Sequence, residues 1–326
     1  MKKLLGLAII AIIFTGCSDD DDDDTEFGNW VERSVFDGIP RSNAIGFVIN
    51  NKGYMGTGYD GDDYLNDFWE YDIQDDYWVQ KADFPGKERS SAIGFATNSK
   101  GYVGIGFDGD IELEDFWEYD PNTNMWNQKA NFKGGFRRGA VGFEANGLGY
   151  VGTGYDGKND KKDFWKYDPS IDEWSELIGF GGKKRRDATS FEINNKIYLG
   201  TGISNGLYID DFWEFDPNSE TWKRLKDLNE EDEYAILRSN AVSFTIDGLG
   251  YIATGYNAGA LGSIWAYDPV LDEWEGLVTE FEAYPRQDAV SFNSNNKAFV
   301  LLGRSGSLYF DDVYEFFPNE EFNEDD

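Results

Sequence analysis

Short runs that alternate apolar and polar side chains recur along this chain at a regular interval. The run Phe-Trp-Glu-Tyr-Asp at 68–72 returns in related form at 116–120, 164–168, 212–216, 264–268 and 313–317. The successive intervals are 48, 48, 48, 52 and 49 residues. Alternation of this kind is typical of a half-buried β-strand. Its return at a fixed period predicts one structural unit repeated six times.

Each repeat predicts four strands. The first reads Arg-x-x-Ala-x-x-Phe, as at 41–47, and the second is aromatic and ends in Gly-x-Gly, as at 54–58. The third is the recurring run, and the fourth centres on a tryptophan such as Trp78, six residues after the aspartate of the run. The turn between them reads Asp-Pro-Asn at 120–122, in which proline presets φ and Asp or Asn bonds back to the backbone. Four strands in a period near fifty residues indicate a β-propeller blade.

The two ends of the chain complete each other. The last repeat, at 313–317, is followed by no fourth-strand tryptophan, but Trp30 lies 11 residues before the next first-strand arginine, as Trp78 does. An open ring would leave an unpaired strand edge. Residues 28–33 are therefore predicted to form the outer strand of the last blade. The predicted fold is all-β, a six-bladed propeller with four antiparallel strands in each blade.

The repeats resemble the Kelch family over residues 28–318. The resemblance rests on the Gly-x-Gly, the Tyr-Asp-Pro turn and the tryptophan that follows it. Most Kelch repeats have adjacent glycines, whereas here one residue separates them, and the motif is reduced to Ala-Thr-Gly at 253–255 and to Gly303 alone in the last repeat. The resemblance implies that the first strand of each blade lies innermost, along the central channel.

The first 27 residues have a different character. Lys2 and Lys3 precede an apolar stretch at 4–14, which is too short to span a bilayer comfortably and is typical of a signal peptide. The following Thr-Gly-Cys resembles a bacterial lipobox, in which Cys17 is lipidated, although Phe14 stands where leucine is usual. An ordinary secreted protein with a chance cysteine is the alternative.

A run of six aspartates within 18–24 follows the cysteine, and like charges favour an extended tether. The run also resembles the export signal of Bacteroidetes surface lipoproteins, with a plain spacer as the alternative. The expected organisation is a lipoprotein signal peptide at 1–16, a lipidated cysteine and acidic tether at 17–27, the propeller at 28–318 and an acidic tail at 319–326. We expect an outer-membrane lipoprotein exposed at the cell surface, held by its acyl groups alone.

Charge and composition exclude several functions. The chain has 62 acidic against 29 basic residues, no histidine and one cysteine, and this charge disfavours nucleic acid and anionic membranes. A Ser-His-Asp or Cys-His nucleophile and an imidazole metal site are impossible, and we predict neither a cofactor nor a metal. Galactose oxidase shares the Kelch domain, but its copper site requires histidines and a Cys–Tyr crosslink, so that activity is rejected.

The candidate binding residues are the arginines that open the first strands. They are predicted to form a ring near one mouth of the channel and to suit an anionic ligand: Arg41, Arg89, Arg137, Arg185, Arg238 and Arg286. Alternatively, they pair with acids of the loops between second and third strands: Asp60, Asp62, Asp63, Asp108, Asp110, Asp156 and Asp160. Those Asp-Gly-Asp loops read as solvated turns, because they lack the spacing of a calcium loop.

Three classes of function remain. The leading interpretation is a monomeric, non-catalytic cell-surface module that recognises a glycan, an anionic ligand or a protein through the loops at the channel mouth. The alternative is a sugar epimerase similar to sialic-acid mutarotase, a six-bladed Kelch protein, using arginine and carboxylates. The third is a structural subunit of a surface assembly. An acidic insertion at 226–237 lies on the arginine face, and its role stays open.

Overall fold

A computed structural model describes residues 27–97, 99–230, 235–277 and 279–323. Three predicted features lie outside these ranges: the lipidation site Cys17, the acidic run at 18–24 and the centre of the insertion at 231–234. None of the described residues belongs to a helix that could span a membrane.

The described residues form six four-stranded antiparallel sheets, as predicted. Strands are numbered along the chain. Blade one contains β2 (Ile45–Ile49), β3 (Lys52–Gly56), β4 (Phe68–Asp72) and β5 (Tyr77–Gln80). Blade two contains β6 (Ile93–Ala96), β7 (Gly101–Gly104), β8 (Phe116–Asp120) and β9 (Met125–Lys129). Blade three contains β10 (Val141–Ala145), β11 (Leu148–Gly152), β12 (Phe164–Asp168) and β13 (Glu173–Leu177).

The other three blades follow the same order, and two carry an added hairpin. Blade four contains β14 (Thr189–Ile193), β15 (Lys196–Gly200), β18 (Trp213–Asp216) and β19 (Thr221–Arg224), with the hairpin β16 (Ile203–Ser204) and β17 (Leu207–Tyr208). Blade five contains β20 (Val242–Ile246), β21 (Leu249–Ala253), β22 (Ile264–Asp268) and β23 (Glu273–Gly276). Blade six contains β24 (Val290–Ser294), β25 (Lys297–Leu301), β28 (Val313–Glu321) and β1 (Phe27–Glu32), with the hairpin β26 (Arg304–Ser305) and β27 (Leu308–Tyr309).

The core lies between neighbouring blades. Phe47 and Phe68 of blade one pack with Tyr119 of blade two in one buried cluster. The Phe47 ring needs a glycine opposite, because a Cβ on Gly101 of blade two would come within 2.3 Å of it. Apolar burial between blades is the main stabilising contribution, since each sheet alone leaves its faces in water.

The N-terminal strand closes the ring. β1 pairs with β28 in antiparallel register, with Trp30 opposite Phe316. Trp30 is fully buried, and its ring meets Phe281 edge-on with centroids 4.7 Å apart. The predicted closure is confirmed. β28 continues to Glu321, past the expected propeller boundary at residue 318, because Phe27 pairs with Glu321.

Strand direction distinguishes the two ends of the channel. The inner strands begin just after the arginines, so these arginines and the β3–β4 type of loop share one end, which we call the mouth face. The opposite end, the far face, carries the hairpin turns such as 50–51. β1 is an outer strand and runs toward the mouth face, so Phe27 lies at the far face.

Candidate functional site at the channel mouth

The six predicted arginines lie inside the blades and not on the mouth surface. Their exposed fraction is 0–1% in every case. In blade two, Nη1 and Nη2 of Arg89 donate to Oδ1 and Oδ2 of Asp115 at 2.6 and 2.8 Å, and the guanidinium lies 4.7 Å from the Phe84 ring. The expectation that these side chains face a ligand is therefore corrected. A fully buried guanidinium with an ion-pair partner contributes to the fold.

The partner carboxylates differ from those predicted. Among the described residues, five of the six arginines pair with an aspartate one or two positions before the third strand: Arg41–Asp67, Arg89–Asp115, Arg137–Asp163, Arg185–Asp211 and Arg286–Asp312. Asp60, Asp108 and Asp156 instead accept backbone N–H groups of their own turns, whereas Asp160 accepts a hydrogen bond from Arg186. Oδ1 of Asp60 accepts the backbone N–H groups of Asp62 and Asp63, both at 2.8 Å.

Blade five is the exception. Arg238 has Ser263 where the other blades have aspartate, and its Nη2 donates to Ser263 Oγ at 2.9 Å. Neutral carbonyls, including those of Ile236 and Thr254, accept its other hydrogen bonds. Burial lowers the pKa of Arg238 to about 10. Among the described residues, Arg238 is the one of the six buried arginines without a carboxylate partner.

The buried arginines hold the backbone of the mouth-face loops through hydrogen bonds to their carbonyls. In each blade Nη1 donates to the carbonyl of a residue with positive φ, as Arg137 does to Thr153, which has a φ of 60°. Such a conformation is strained for a β-branched residue. The turn that it creates pairs Tyr155 with Arg138, the residue after the buried arginine. The buried arginines thus hold the next layer of side chains at the channel.

That next layer encloses a cavity of roughly 510 Å³, the mouth cavity. Its lining is polar and aromatic: Ser42, Asn43, Tyr59, Tyr64, Ser90, Ser91, Phe107, Arg138, Arg186, Asp187, Asn240, Gln287, Asp288, Arg304 and Tyr309. The six repeats are not equivalent here. The position after the buried arginine is serine in three blades, glutamine in one, and arginine in blades three and four.

A closed ring of backbone hydrogen bonds forms the floor of the mouth cavity. Its members are Asn43, Ser91, Gly139, Asp187, Asn240 and Asp288, one from each blade, and we call them the neck ring. Each backbone N–H donates to the carbonyl of its counterpart in the preceding blade, over 2.8–3.1 Å, and Asn43 bonds Asp288 to close the circle. All six have φ between 51° and 59°. The ring fixes the height at which the side chains of its five non-glycine members leave the backbone.

Aromatic rings and guanidiniums form an arc along one side of the mouth. In order, the arc runs through Tyr309, Tyr59, Tyr64, Phe107, Arg138, Tyr155 and Arg186. The Arg138 guanidinium lies 4.4 Å from the Phe107 ring centroid. Stacking of this kind holds the charged group in place while leaving its N–H groups available.

The side chains of two charged residues of the mouth cavity have ion-pair contacts only, and make no hydrogen bond among the described residues. Arg138 is 33% exposed, and its closest carboxylate contact is Glu112 at 3.5 Å. Asp187 is 21% exposed and lies 3.5 Å from Nε of Arg186. The other two mouth arginines are engaged, since Arg186 donates to Asp160 at 2.7 Å and Arg304 donates to Asp288 at 2.9 Å.

The neck ring creates the space that Asp187 occupies. Gly139 precedes Asp187 in the ring, and a Cβ at Gly139 would lie 2.3 Å from Asp187 Oδ1. Burial and the neighbouring Asp288 carboxylate raise the pKa of Asp187 to about 7, against the opposing charges of Arg186 and Arg138. Burial also raises the pKa of Asp288. Asp187 can therefore donate or accept a proton near neutral pH.

Part of the insertion belongs to the core. Leu228 and Ile236 are fully buried and pack with Trp274. They anchor the two ends of the insertion between blades four and five. Its acidic centre lies outside the described residues.

Comparisons with known proteins identify the fold. No protein-family model matches the sequence, and no curated protein matches it. The solved structure of YjhT is similar to this chain, with a TM-score of 0.74 and 19% identity, covering 85% of this chain and 95% of YjhT. The chain is a six-bladed β-propeller. At this identity the likeness extends to the architecture alone.

The sequence analysis did not single out the charged side chains that line the mouth cavity. Arg138, Arg186 and Asp187 stand one or two positions after arginines that the repeat makes conspicuous. The available signal was the departure from the repeat. A position that is serine in three blades and arginine in two marks a difference that blade packing does not require.

Proposed function

We propose that this propeller is a non-catalytic binding module for a small anionic carbohydrate, held in the mouth cavity. The observation that carries the proposal concerns two charged side chains that line the mouth cavity, Arg138 and Asp187. Both are partly exposed to one polar cavity. Each has only an ion-pair contact of 3.5 Å, Arg138 with Glu112 and Asp187 with Arg186, and neither side chain makes a hydrogen bond among the described residues. Buried or half-buried polar groups normally make hydrogen bonds, so a ligand that forms hydrogen bonds with both side chains is favoured.

The chemistry of the two groups defines the ligand. The Arg138 guanidinium can bind a carboxylate through two parallel hydrogen bonds. Asp187 and Asn240 suit sugar hydroxyls, which both donate and accept. The aromatic arc through Tyr59 and Tyr64 provides apolar ring faces beside these polar groups. A cavity of roughly 510 Å³ is in the range of small-ligand sites.

Thermal melting of residues 25–326 with a panel of ligands tests this proposal. The panel contains N-acetylneuraminic acid, glucuronic acid, their neutral counterparts and an acidic peptide. Binding to the native state raises the melting midpoint by mass action. We expect a rise with an acidic sugar, lost in Arg138→Gln and retained in Arg224→Gln, whose side chain is 54% exposed on the outer strand β19. No shift with any ligand would favour a macromolecular partner.

A second candidate is mutarotation of a free acidic sugar, and the pKa of Asp187 favours it. Ring opening moves the proton of the anomeric hydroxyl to a base as the ring C–O bond breaks, and an acid protonates the ring oxygen. A carboxyl with a pKa of about 7 can serve as that base or that acid. Anomer-exchange NMR of N-acetylneuraminic acid tests it. Wild-type acceleration that Asp187→Asn abolishes, with binding retained, would replace the binding-only function.

We also propose that the chain is a Kelch-type propeller, anchored through a lipid on Cys17 and exposed at the cell surface. The support is the sequence alone: the repeat motifs, the Thr-Gly-Cys segment and the acidic run after it. Metabolic labelling with a fatty-acid analogue tests the anchor, and Cys17→Ala must lose the label. Digestion of intact cells by an added protease tests the exposure. A propeller that is cut only after lysis would contradict it.

A further inference from the structure

An exposed aromatic pair lies on the mouth face outside the mouth cavity. Tyr284 is 68% exposed, and its ring stacks parallel to Phe310 with centroids 5.9 Å apart and planes within 7°. The Arg286 guanidinium lies 4.3 Å from the Phe310 ring. Tyr284 therefore packs one face against the protein and presents the other to solvent. We call Tyr284 and Phe310 the platform.

The platform adjoins the mouth cavity through the hairpin of blade six. Phe310 directly follows Tyr309, which lines the cavity together with Arg304. Successive side chains of an extended strand point to opposite sides, so Tyr309 faces the cavity and Phe310 faces away from it. The tip of this hairpin, which precedes both residues, is Ser305-Gly306-Ser307 and carries only small side chains before the exposed Leu308. A chain that leaves the cavity can cross this tip to reach the platform.

Charge favours this direction of exit. The loop tips of blades one and two, at 59–64 and 107–112, each contain three acids and no basic residue. The tips of blades four, five and six, at 203–208, 256–260 and 304–309, contain no acid, and of these three only the tip of blade six contains a basic residue, Arg304. An anionic ligand is repelled over the first two blades and not over the sixth.

We propose that the platform is a second sugar-binding subsite, which holds the unit next to the acidic sugar in the mouth cavity. The inference rests on the proposed binding function. It defines the ligand as an oligosaccharide with a terminal acidic sugar and not as a free monosaccharide. The second sugar would stack on the free face of Tyr284, a geometry that aromatic side chains provide at binding surfaces.

Calorimetric titration of residues 25–326 with two matched pairs of sugars tests this subsite. One pair is N-acetylneuraminic acid and 3′-sialyllactose, and the other is glucuronic acid and a hyaluronan tetrasaccharide ending in glucuronic acid. We expect the longer member of one pair to bind about 10-fold more tightly than its monosaccharide, the scale of one aromatic stacking contact. Tyr284→Ala should remove that gain and leave the affinity for the monosaccharide unchanged.

Tyr77→Ala is the matched control, since Tyr77 is 46% exposed at the start of the outer strand β5 and away from the mouth. It should change neither affinity. A longer sugar that binds no more tightly than its monosaccharide would overturn the second subsite and leave the mouth site standing. So would an equal loss for both sugars in Tyr284→Ala. Failure of every acidic sugar to bind would overturn the proposed function itself.

Discussion

Asp115→Ser should measure what each buried arginine pair contributes to stability. The variant copies into blade two the arrangement that blade five has naturally, with serine before the third strand. Asp115 accepts two hydrogen bonds from Arg89, at 2.6 and 2.8 Å, and a third from Trp117 Nε1 at 2.8 Å. Arg89 is fully buried, so removal of the carboxylate leaves a buried charge without its counter-ion.

The expected loss follows from these contacts. Breaking a buried pair by removing one partner costs about 3–5 kcal/mol. Asp115 is 23% exposed, which weakens the pair, and serine keeps one neutral hydrogen bond of the kind that Ser263 makes. We therefore expect a loss of about 2–3 kcal/mol. At about 2 °C per kcal/mol for a chain of this size, the melting midpoint should fall by about 5 °C.

The pH dependence of the loss provides an independent check. Burial opposes ionisation of Asp115, but the hydrogen bonds and charge of Arg89 outweigh it and lower its pKa below 3.8. The unfolded chain then binds more protons near that pH, so the contribution of the pair is present above about pH 4 and is lost as the pH falls through the folded pKa. The deficit of Asp115→Ser should therefore shrink in acid.

Calorimetry or denaturant melts of wild type and variant at pH 7 and pH 3 provide the assay, with Asp62→Ser as the exposed control. The reciprocal change, Ser263→Asp, should raise the midpoint at pH 7 by supplying Arg238 with a carboxylate. An unchanged midpoint for Asp115→Ser at pH 7, or a deficit that is as large at pH 3, would refute the reasoning.

Three further changes test the closure and the mouth. Trp30→Ala should cost about 3–5 kcal/mol, because it empties a fully buried site in the closing strand, and a melt that stays within 2 °C of wild type would contradict that role. Gly139→Ala places a Cβ at positive φ beside Asp187, so ligand binding should be lost with a modest fall in midpoint, and unimpaired binding would contradict the placement of Asp187. Asp187→Asn should raise the midpoint at pH 8 and not at pH 4. The raised pKa of Asp187, about 7, means that the folded state holds a proton the unfolded state has lost, and stability falls as pH rises from about 4 to 7. Equal midpoints at pH 8 would show that Asp187 is not destabilised by its ionisation.

The fold could be predicted from the sequence because the packing of the blades requires the same residue pattern in each of the six repeats. The Phe-Trp-Glu-Tyr-Asp run and the displaced Trp30 together predicted the blade number and the closing strand. The arginines were equally visible for the same reason, and this visibility was misleading for function. Arg41 and its counterparts recur in all six blades because every blade has the same structural requirement for a buried arginine.

The mouth could not be predicted in the same way. Arg138 and Asp187 belong to different blades and line one cavity above the neck ring, which is made of backbone groups and leaves no side-chain pattern. The left-handed backbone conformation of Thr153 likewise could not be predicted from the sequence, because threonine rarely adopts it. A binding site on a repeat protein depends on the positions where the repeats differ, and one sequence does not show which differences matter until the ring brings them together.

The direction of β1 has a consequence for presentation. Its first residue, Phe27, lies at the far face, and β28 also ends there, at Glu321. An attachment upstream of Phe27 would therefore hold the propeller at the far face, opposite the mouth cavity. A soluble oligosaccharide could then reach the cavity without passing the supporting surface, whereas a sugar rooted in that same surface would have to bend back over the full height of the blades.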